Sequence, residues 1–341
     1  MLALVRPKSH GFFVLHDLTD EFAAHDHQKY QRCLEKLVGE HPPASIDVTL
    51  QMYLSRKAKP PEGDSYFIRP GMTQVKITRC SLEQPFLSTI IKQDKRKHPP
   101  DLGQLKQVWQ VSHEYDDFLG WIGGHGCPWN VARIRMSPDV NLSCLVLDSC
   151  FGANPIAFNL LDYADVVIAS EDSLDGFPMY SMMKAWIHCP GPAVKQSRSA
   201  IEAIGFEGQV NTAVAINMKQ WAAFNLNFEQ FLNSVGFHCM RFPETRARIF
   251  NLLDSLTSTL PEASPHNLEL ADLAQVVQGI TNELPLEYYR TSAEELLTSM
   301  NNEVILAKHI APSHAHLCGI SVSIPEVKKE INAIFDLVGE S

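Results

Sequence analysis

Two residues in this chain are best suited by type and setting to covalent chemistry. One is His125, in Gly123-Gly124-His125-Gly126, directly after the apolar run FLGWIG; the other is Cys150, in Asp148-Ser149-Cys150-Phe151-Gly152, directly after the run CLVL. Glycines on both sides of His125 free the backbone to turn sharply and leave the imidazole uncovered. A thiol at a strand-to-helix turn, ahead of a helix predicted over residues 154–163, lies near the positive end of the helix dipole, which favours thiolate. An imidazole from the neighbouring strand end can then share the proton, giving a nucleophile–base pair for acyl transfer. Such transfer also needs N–H donors for the oxyanion, and the backbone amides of Gly126 and Cys150 are the natural candidates. A cysteine within an apolar run is more often inert packing, and Cys144 is expected to be that. Cys150 differs because it lies past the run, between Ser149 and Gly152.

These two residues must be brought together by the elements before them. Residues 11–15 (GFFVL), 46–54 (IDVTLQMYL), 118–123, 144–147 and 166–169 (VVIA) read as strands, most of them apolar throughout. Shorter strands are predicted at 74–77 and 80–82, and helices at 26–38 and 102–116. Polar, proline-containing breaks fall at 57–63 and 94–100, with a softer one at 261–265. Apolar strands alternating with helices predict an α/β fold: a mostly parallel central sheet with helices on both faces. In such sheets chemistry sits at the carboxyl ends of the strands, where both His125 and Cys150 fall.

Bulk composition removes several function classes. With 29 Lys and Arg against 39 Asp and Glu, the formal net charge is −10, and the one basic run, Lys92–Lys97, reads as a solvated loop. Nucleic acid is not an expected partner, because phosphate binding needs clustered cations. No stretch of about 18 apolar residues occurs, so no membrane span is expected. The start MLALVRPKSHGFFVLHD lacks the layout of a secretory signal. The eight cysteines show no regular pairing and suit free thiols in a reducing compartment. The expected localisation is cytoplasmic as synthesised, with export by another route left open. No phosphate-cradling or dinucleotide fingerprint is present, and no cofactor is expected.

Beyond these residue-level readings, the sequence resembles the clostripain family of caspase-fold cysteine peptidases. The family's strand–His–Gly element, ending in Trp, is similar to residues 120–129 (GWIGGHGCPW), with Trp129 in place. Its nucleophile element, an Asp, a small residue and Cys, resembles Asp148-Ser149-Cys150. Its Asp-x-Ala-Asp helix end, apolar strand, Ala-Ser-Glu and Asp-Gly-aromatic loop resemble residues 160–180 (LLDYADVVIASEDSLDGFPMY). Weaker matches follow at residues 212–231, 267–276 and 318–325, so the resemblance spans roughly residues 110–325. It implies a caspase-like arrangement and an endopeptidase in which Cys150 attacks a peptide carbonyl and His125 protonates the leaving amine. It also implies that Asp148 and Asp175 recognise an Arg or Lys side chain, since a carboxylate low in a substrate pocket pairs with a basic group. From the residues alone, Asp148 is equally a strand-end cap and Asp175 an ordinary Asp-Gly turn. The acids Asp162, Asp165, Glu171 and Asp172 are expected to cap, solvate or structure their loop.

Two departures stand out. Only residues 126–149 separate His125 from Cys150, too few for the helix and cleavable loop common in the family, so activity as an uncut chain or gating by a regulatory protein partner is expected. Any self-cleavage is expected at Lys95–Lys97 rather than at Arg133 or Arg135. Phe151-Gly152 also replaces the family's Leu-Met pair, which predicts an altered pocket wall. His314, His316 and Cys318 alternate as metal ligands on one face of a strand would, but no fourth ligand is evident; packing is the expected role and no metal site is assigned. Cys127 is expected to be a bystander, and Phe12, Trp109, Trp121 and Phe158 core. The chain divides into a caspase-like core over 1–210 and a C-terminal α/β extension over 211–341 on the same core. The function read from sequence is hydrolysis of a protein or peptide after Arg or Lys; the rival is an inactive caspase-fold interaction module, with amide transfer by the same pair also open.

Overall fold

The computed structural model describes residues 10–17, 46–53, 66–68, 117–123, 142–159, 161–206, 210–260, 269–284 and 286–339, with a few positions between 32 and 40. The predicted elements at 74–77, 80–82 and 102–116 lie outside them. Among the described residues, eight strands form the main sheet: β1 (His10–Asp17), β2 (Ile46–Tyr53), β3 (Tyr66–Ile68), β4 (Asp117–Gly123), β5 (Cys144–Asp148), β6 (Val166–Ala169), β7 (Thr212–Asn217) and β9 (Ile305–Ile310). Their spatial order is β3-β2-β1-β4-β5-β6-β7-β9. The five central strands, β2-β1-β4-β5-β6, are parallel, while β3, β7 and β9 pair antiparallel at the edges. A two-stranded antiparallel sheet joins β8 (Leu270–Asp272) to β10 (Ser321–Ser323).

The strands read as continuous apolar runs because both faces of the sheet are covered. Successive side chains alternate between two cores. Phe118, Ile122, Leu145, Leu147, Val167, Val214 and Ile216 face one core, and Leu119, Trp121, Cys144, Val146, Ile168, Ala213 and Ala215 face the other. The first core is closed by α4 (Met218–Arg241), α5 (Pro243–Leu256), α6 (Leu273–Asn282), α7 (Glu287–Ser299) and α8 (Ile324–Gly339). The second is closed by α2 (Met179–His188), which supplies Met182, Met183 and Trp186, and by α3 (Ala193–Gly205), which supplies Ala200, Ile201 and Ile204. Cys144 is fully buried there and burial pushes its thiol pKa up, the inert packing expected of it.

The helix predicted over 154–163 is a single turn, α1 (Pro155–Phe158). It starts as a capped helix should: Pro155 opens it and the Asn154 side chain accepts from the Ala157 N–H at 3.0 Å. It cannot continue, because the sheet claims the chain at once. Ala164 bridges Leu142 in parallel, and Asp165 donates to the Leu142 carbonyl at 2.8 Å. By contrast, Asp272 opens a longer helix: it caps α6 by accepting from the Gln275 N–H at 2.8 Å.

Helices α4 and α8 meet at Gly236, where an added Cβ would lie 2.4 Å from the Ile331 carbonyl oxygen. Backbone cannot yield as a side-chain tip can. Gly236→Ala gains about 1 kcal/mol of helix propensity but loses more by prising the two helices apart. The expected net loss is about 1–2 kcal/mol by urea denaturation. Gly205→Ala, whose Cβ would meet the His309 ring at an ordinary 3.5 Å, should be neutral or stabilising. Equal behaviour of the two variants would refute the account of this contact.

Candidate active site

The carboxyl ends of β4 and β5 lie side by side in fixed register, with Gly123 paired to Asp148. Asp148 is buried, and its carboxylate ties three elements together. Oδ2 accepts the Trp121 indole N–H from β4 at 3.1 Å, and Oδ1 accepts the Phe177 backbone N–H at 2.7 Å. Trp121 and Phe177 meet edge to face beside it, their centroids 6.4 Å apart. Trp121 is thus a core residue, as expected, and also the donor that fixes Asp148.

Past Asp148 the chain bends through an elbow. Phe151 has φ 55°, a conformation a bulky residue rarely adopts. It is 1% exposed, packed with Leu260, Leu270 and Leu317. The residue expected to alter the pocket wall is turned into this buried cluster instead. The elbow is held by the Phe151 N–H donating to the Asp172 carbonyl at 3.1 Å and by Asn154 Nδ2 donating to the Phe151 carbonyl at 2.6 Å. Its outer corner is Cys150, half-buried. The Leu174 N–H donates to Cys150 Sγ at 3.3 Å, and the thiol approaches the Leu174 carbonyl at 3.6 Å.

Burial pushes the Cys150 thiol pKa up, and the charges of Asp148 and Asp172 add to that; hydrogen bonds from the Leu174 and Cys150 peptide groups oppose it. This corrects the expectation that the strand-to-helix turn by itself favours thiolate. A one-turn helix carries little dipole and gives the thiolate little support. The Ser149 hydroxyl beside the thiol is buried and meets no hydrogen-bond partner among the described residues.

The loop after β6 holds the acids. Asp175 is exposed, beside Gly176 at φ 107°, at the rim of the site rather than beneath it. Glu171 and Asp172 are buried, gripped by the turn that precedes β10. His314 Nε2 pairs with Asp172 Oδ2 at 3.0 Å, and the Gly319 N–H donates to Glu171 Oε2 at 2.6 Å. The Cys318 N–H donates to Asp272 Oδ2 at 2.5 Å. The His314, His316 and Cys318 alternation therefore does not lie on a strand: residues 312–314 form a single 3-10 turn, and the two ends of the motif serve different acids. Among the described residues, Glu171, Asp272 and Cys318 bring their ligand atoms within 4.8 Å of one another. As a carboxylate, Glu171 Oε1 meets no donor among the described residues; as a carboxylic acid Glu171 donates to Asp272. Burial, then the Asp272 charge, raise the Glu171 pKa well above the ordinary carboxylate value, so one proton serves both acids.

Sequence reasoning placed Cys150 and Asp148 in one neighbourhood but took Glu171 and Asp172 for loop acids and His314 for packing. An acidic pair directly after a fully apolar strand is the available signal, since both faces there are covered. His125, Gly126, Cys127 and Trp129 lie outside the described residues, as do Lys92–Lys97, Arg133 and Arg135. No described helix is long and apolar enough to cross a membrane.

The sequence matches no protein-family model and no curated protein. Solved structures do resemble it over nearly the whole chain. An inactive zymogen C11 protease from Parabacteroides distasonis aligns over 98% of this chain and 97% of its own at TM-score 0.60 and 10% identity. The secreted C11 cysteine protease iotapain from Bacteroides thetaiotaomicron aligns over 97% of each chain at TM-score 0.62 and 12% identity. A secreted C11 cysteine protease from the same organism, in complex with an irreversible peptide inhibitor, aligns over 92% of each at TM-score 0.56 and 12% identity. The fold is that of the C11 cysteine proteases. The expected caspase-like α/β architecture is borne out by this likeness.

The shared proton gives stability a pH dependence of known sign. The folded chain holds Glu171 protonated above 4.5, where the unfolded chain releases that proton, so this contribution is full below that value and is lost as pH rises. Glu171→Gln keeps a donor to Asp272 without needing a proton. Melting temperature should therefore fall less steeply as pH rises above 4.5 in the variant than in wild type. Parallel curves would remove the shared proton from the account.

Proposed function

We propose that the chain is a cysteine peptidase of clostripain type, with Cys150 as nucleophile and His125 as base. One observation carries this reading: Gly123 and Asp148 are register partners on adjacent parallel strands, and His125 and Cys150 follow each of them by two residues. Both segments leave the sheet at one level and at neighbouring positions, which suits proton transfer between an imidazole and a thiol. The burial that raises the Cys150 pKa makes such a base necessary. The fold likeness supports the same reading, because C11 proteases of this fold include one held by an irreversible peptide inhibitor. In the reaction Cys150 Sγ adds to the peptide carbonyl, His125 delivers a proton to the leaving amine, and water activated by His125 then cleaves the thioester. Gly126 and Cys150 amides would receive the oxyanion.

For specificity we propose a basic P1 side chain, with Asp148 as the buried charge at the base of the site and Asp175 as the acid at its rim. Asp148 already accepts from Trp121 and Phe177, so its orientation is fixed before substrate arrives. A carboxylate has about four lone-pair directions and can accept a further donor.

Cys150→Ala and His125→Ala should each abolish peptide hydrolysis and labelling by a P1-Arg acyloxymethyl ketone, with the folded circular-dichroism spectrum retained. Undiminished turnover in either variant would remove that residue from the mechanism; an unlabelled wild type would favour a binding module on the same fold.

In a P1-profiling library, Arg and Lys should lead. Asp175→Asn should lower kcat/KM on P1-Arg substrates by roughly three- to tenfold, the range of a solvent-screened ion pair reinforced by hydrogen bonding. Preference for acidic or apolar P1 groups would overturn the specificity assignment while leaving the dyad untouched.

A further inference from the structure

The carboxyl end of the sheet also holds a histidine that this mechanism does not use. His314 closes the turn over residues 312–314, its side chain 23% exposed, and Nε2 lies 3.0 Å from Oδ2 of Asp172, which is 2% exposed. Nδ1 lies 2.9 Å from Ser313 Oγ. A ring protonated at Nε2 thus accepts from the serine hydroxyl and donates to the carboxylate, satisfying both nitrogens. Asp172 Oδ1 meets no donor among the described residues, so on this side chain His314 is the donor that matters.

Asp172 leads directly to the thiol. Its carbonyl accepts the Phe151 N–H at 3.1 Å, on the residue after Cys150. Two residues beyond Asp172, the Leu174 N–H donates to Cys150 Sγ. Among the described residues, the charged groups facing the sulfur are the carboxylates of Asp148 and Asp172, which disfavour thiolate, while the Leu174 N–H favours it.

We propose that His314 is a positioning residue for Cys150: by binding the Asp172 carboxylate it keeps the Leu174 N–H on the sulfur and draws the carboxylate's charge away from it. Without His314, a buried carboxylate loses its donor and must recover one by moving its loop or admitting water. Either change withdraws the N–H that stabilises thiolate. The turn keeps a second anchor, the Gly319 N–H on Glu171, so removing His314 loosens the loop without releasing the whole segment. The inference rests on Cys150 being the nucleophile of the proposed peptidase, and it extends the site to a turn on the far side of the acidic loop.

The test is the pH profile of Cys150 alkylation by iodoacetamide in the full chain, read on the Cys150 peptide by mass spectrometry. In His314→Ala the midpoint should rise and the rate at neutral pH fall by roughly three- to tenfold, the size of a lost hydrogen bond to the charged form. His314→Gln, which keeps an N–H donor, should restore most of that rate. Asp172→Asn keeps the acceptor but removes the charge and should move the midpoint down. Opposite displacements from the two partners are not what a loosened fold produces. A His314→Ala profile that overlays wild type, or a glutamine variant no better than alanine, overturns the proposal. If His314→Ala does not fold, the Gln and Asn variants decide: an unmoved Asp172→Asn midpoint counts against it. Wild type that alkylates with these shifts but hydrolyses no peptide sinks the peptidase reading alone, and normal hydrolysis with unmoved profiles sinks this inference alone.

Discussion

Two consecutive acids, Glu171 and Asp172, are buried where β6 leaves the sheet, and the arrangement around Cys150 depends on how they are satisfied. An unpaired buried carboxylate costs several kcal/mol, so each acid has a dedicated partner set. Glu171 shares a proton with Asp272 and accepts from Gly319, while Asp172 is met by His314. Their backbone N–H groups both reach the Thr212 hydroxyl on β7, at 3.0 and 3.2 Å. Through these contacts the loop bearing Leu174 and Asp175 is fixed to β7, to the start of α6 and to the turn before β10. The wall beside Cys150 is thus built by parts of the chain far from it in sequence.

The elbow at Cys150–Phe151 shows the same dependence. A left-handed phenylalanine costs about 1–2 kcal/mol relative to ordinary backbone. Burying that ring against Leu260, Leu270 and Leu317 offsets the strain, since fully burying such a side chain contributes about 1.5–3 kcal/mol. Those leucines belong to the later part of the chain, as do β7 and β9 at the sheet edge. Residues 211–341 therefore do more than cover one face: they hold the elbow and clamp the acidic loop. The Ser321 N–H, donating to the Ala153 carbonyl at 2.8 Å, stitches β10 to the segment just past the elbow.

Electrostatically the site works against its own thiol. Burial and two neighbouring carboxylates push Cys150 toward the thiol form, and the peptide groups of Leu174 and Cys150 itself resist them. Such a cysteine favours the thiol form unless a base approaches, as the proposed dyad requires. Asp148 has a double character in this balance. It raises the thiol pKa by charge, yet its bonds to Trp121 and Phe177 set the distance between the β5 end and the loop opposite.

The sequence by itself determined five strands of the main sheet, the two-faced core and the neighbourhood of Cys150. Apolar runs at 118–123, 144–147 and 166–169 can be buried on both faces only in a covered parallel sheet, and a cysteine just past such a run must sit at its carboxyl edge. Tertiary structure decided what depends on contacts distant in sequence. It cut the helix after Cys150 to one turn, because pairing of Ala164 with Leu142 outcompetes helical propensity. It turned Phe151 inward, left Asp175 at the rim and buried Glu171 and Asp172. It also split the His314–Cys318 motif between two acids. No local pattern reports such outcomes: a carboxylate's burial is set by the donors that reach it, and here those donors come from β4, the loop before α2 and the turn before β10.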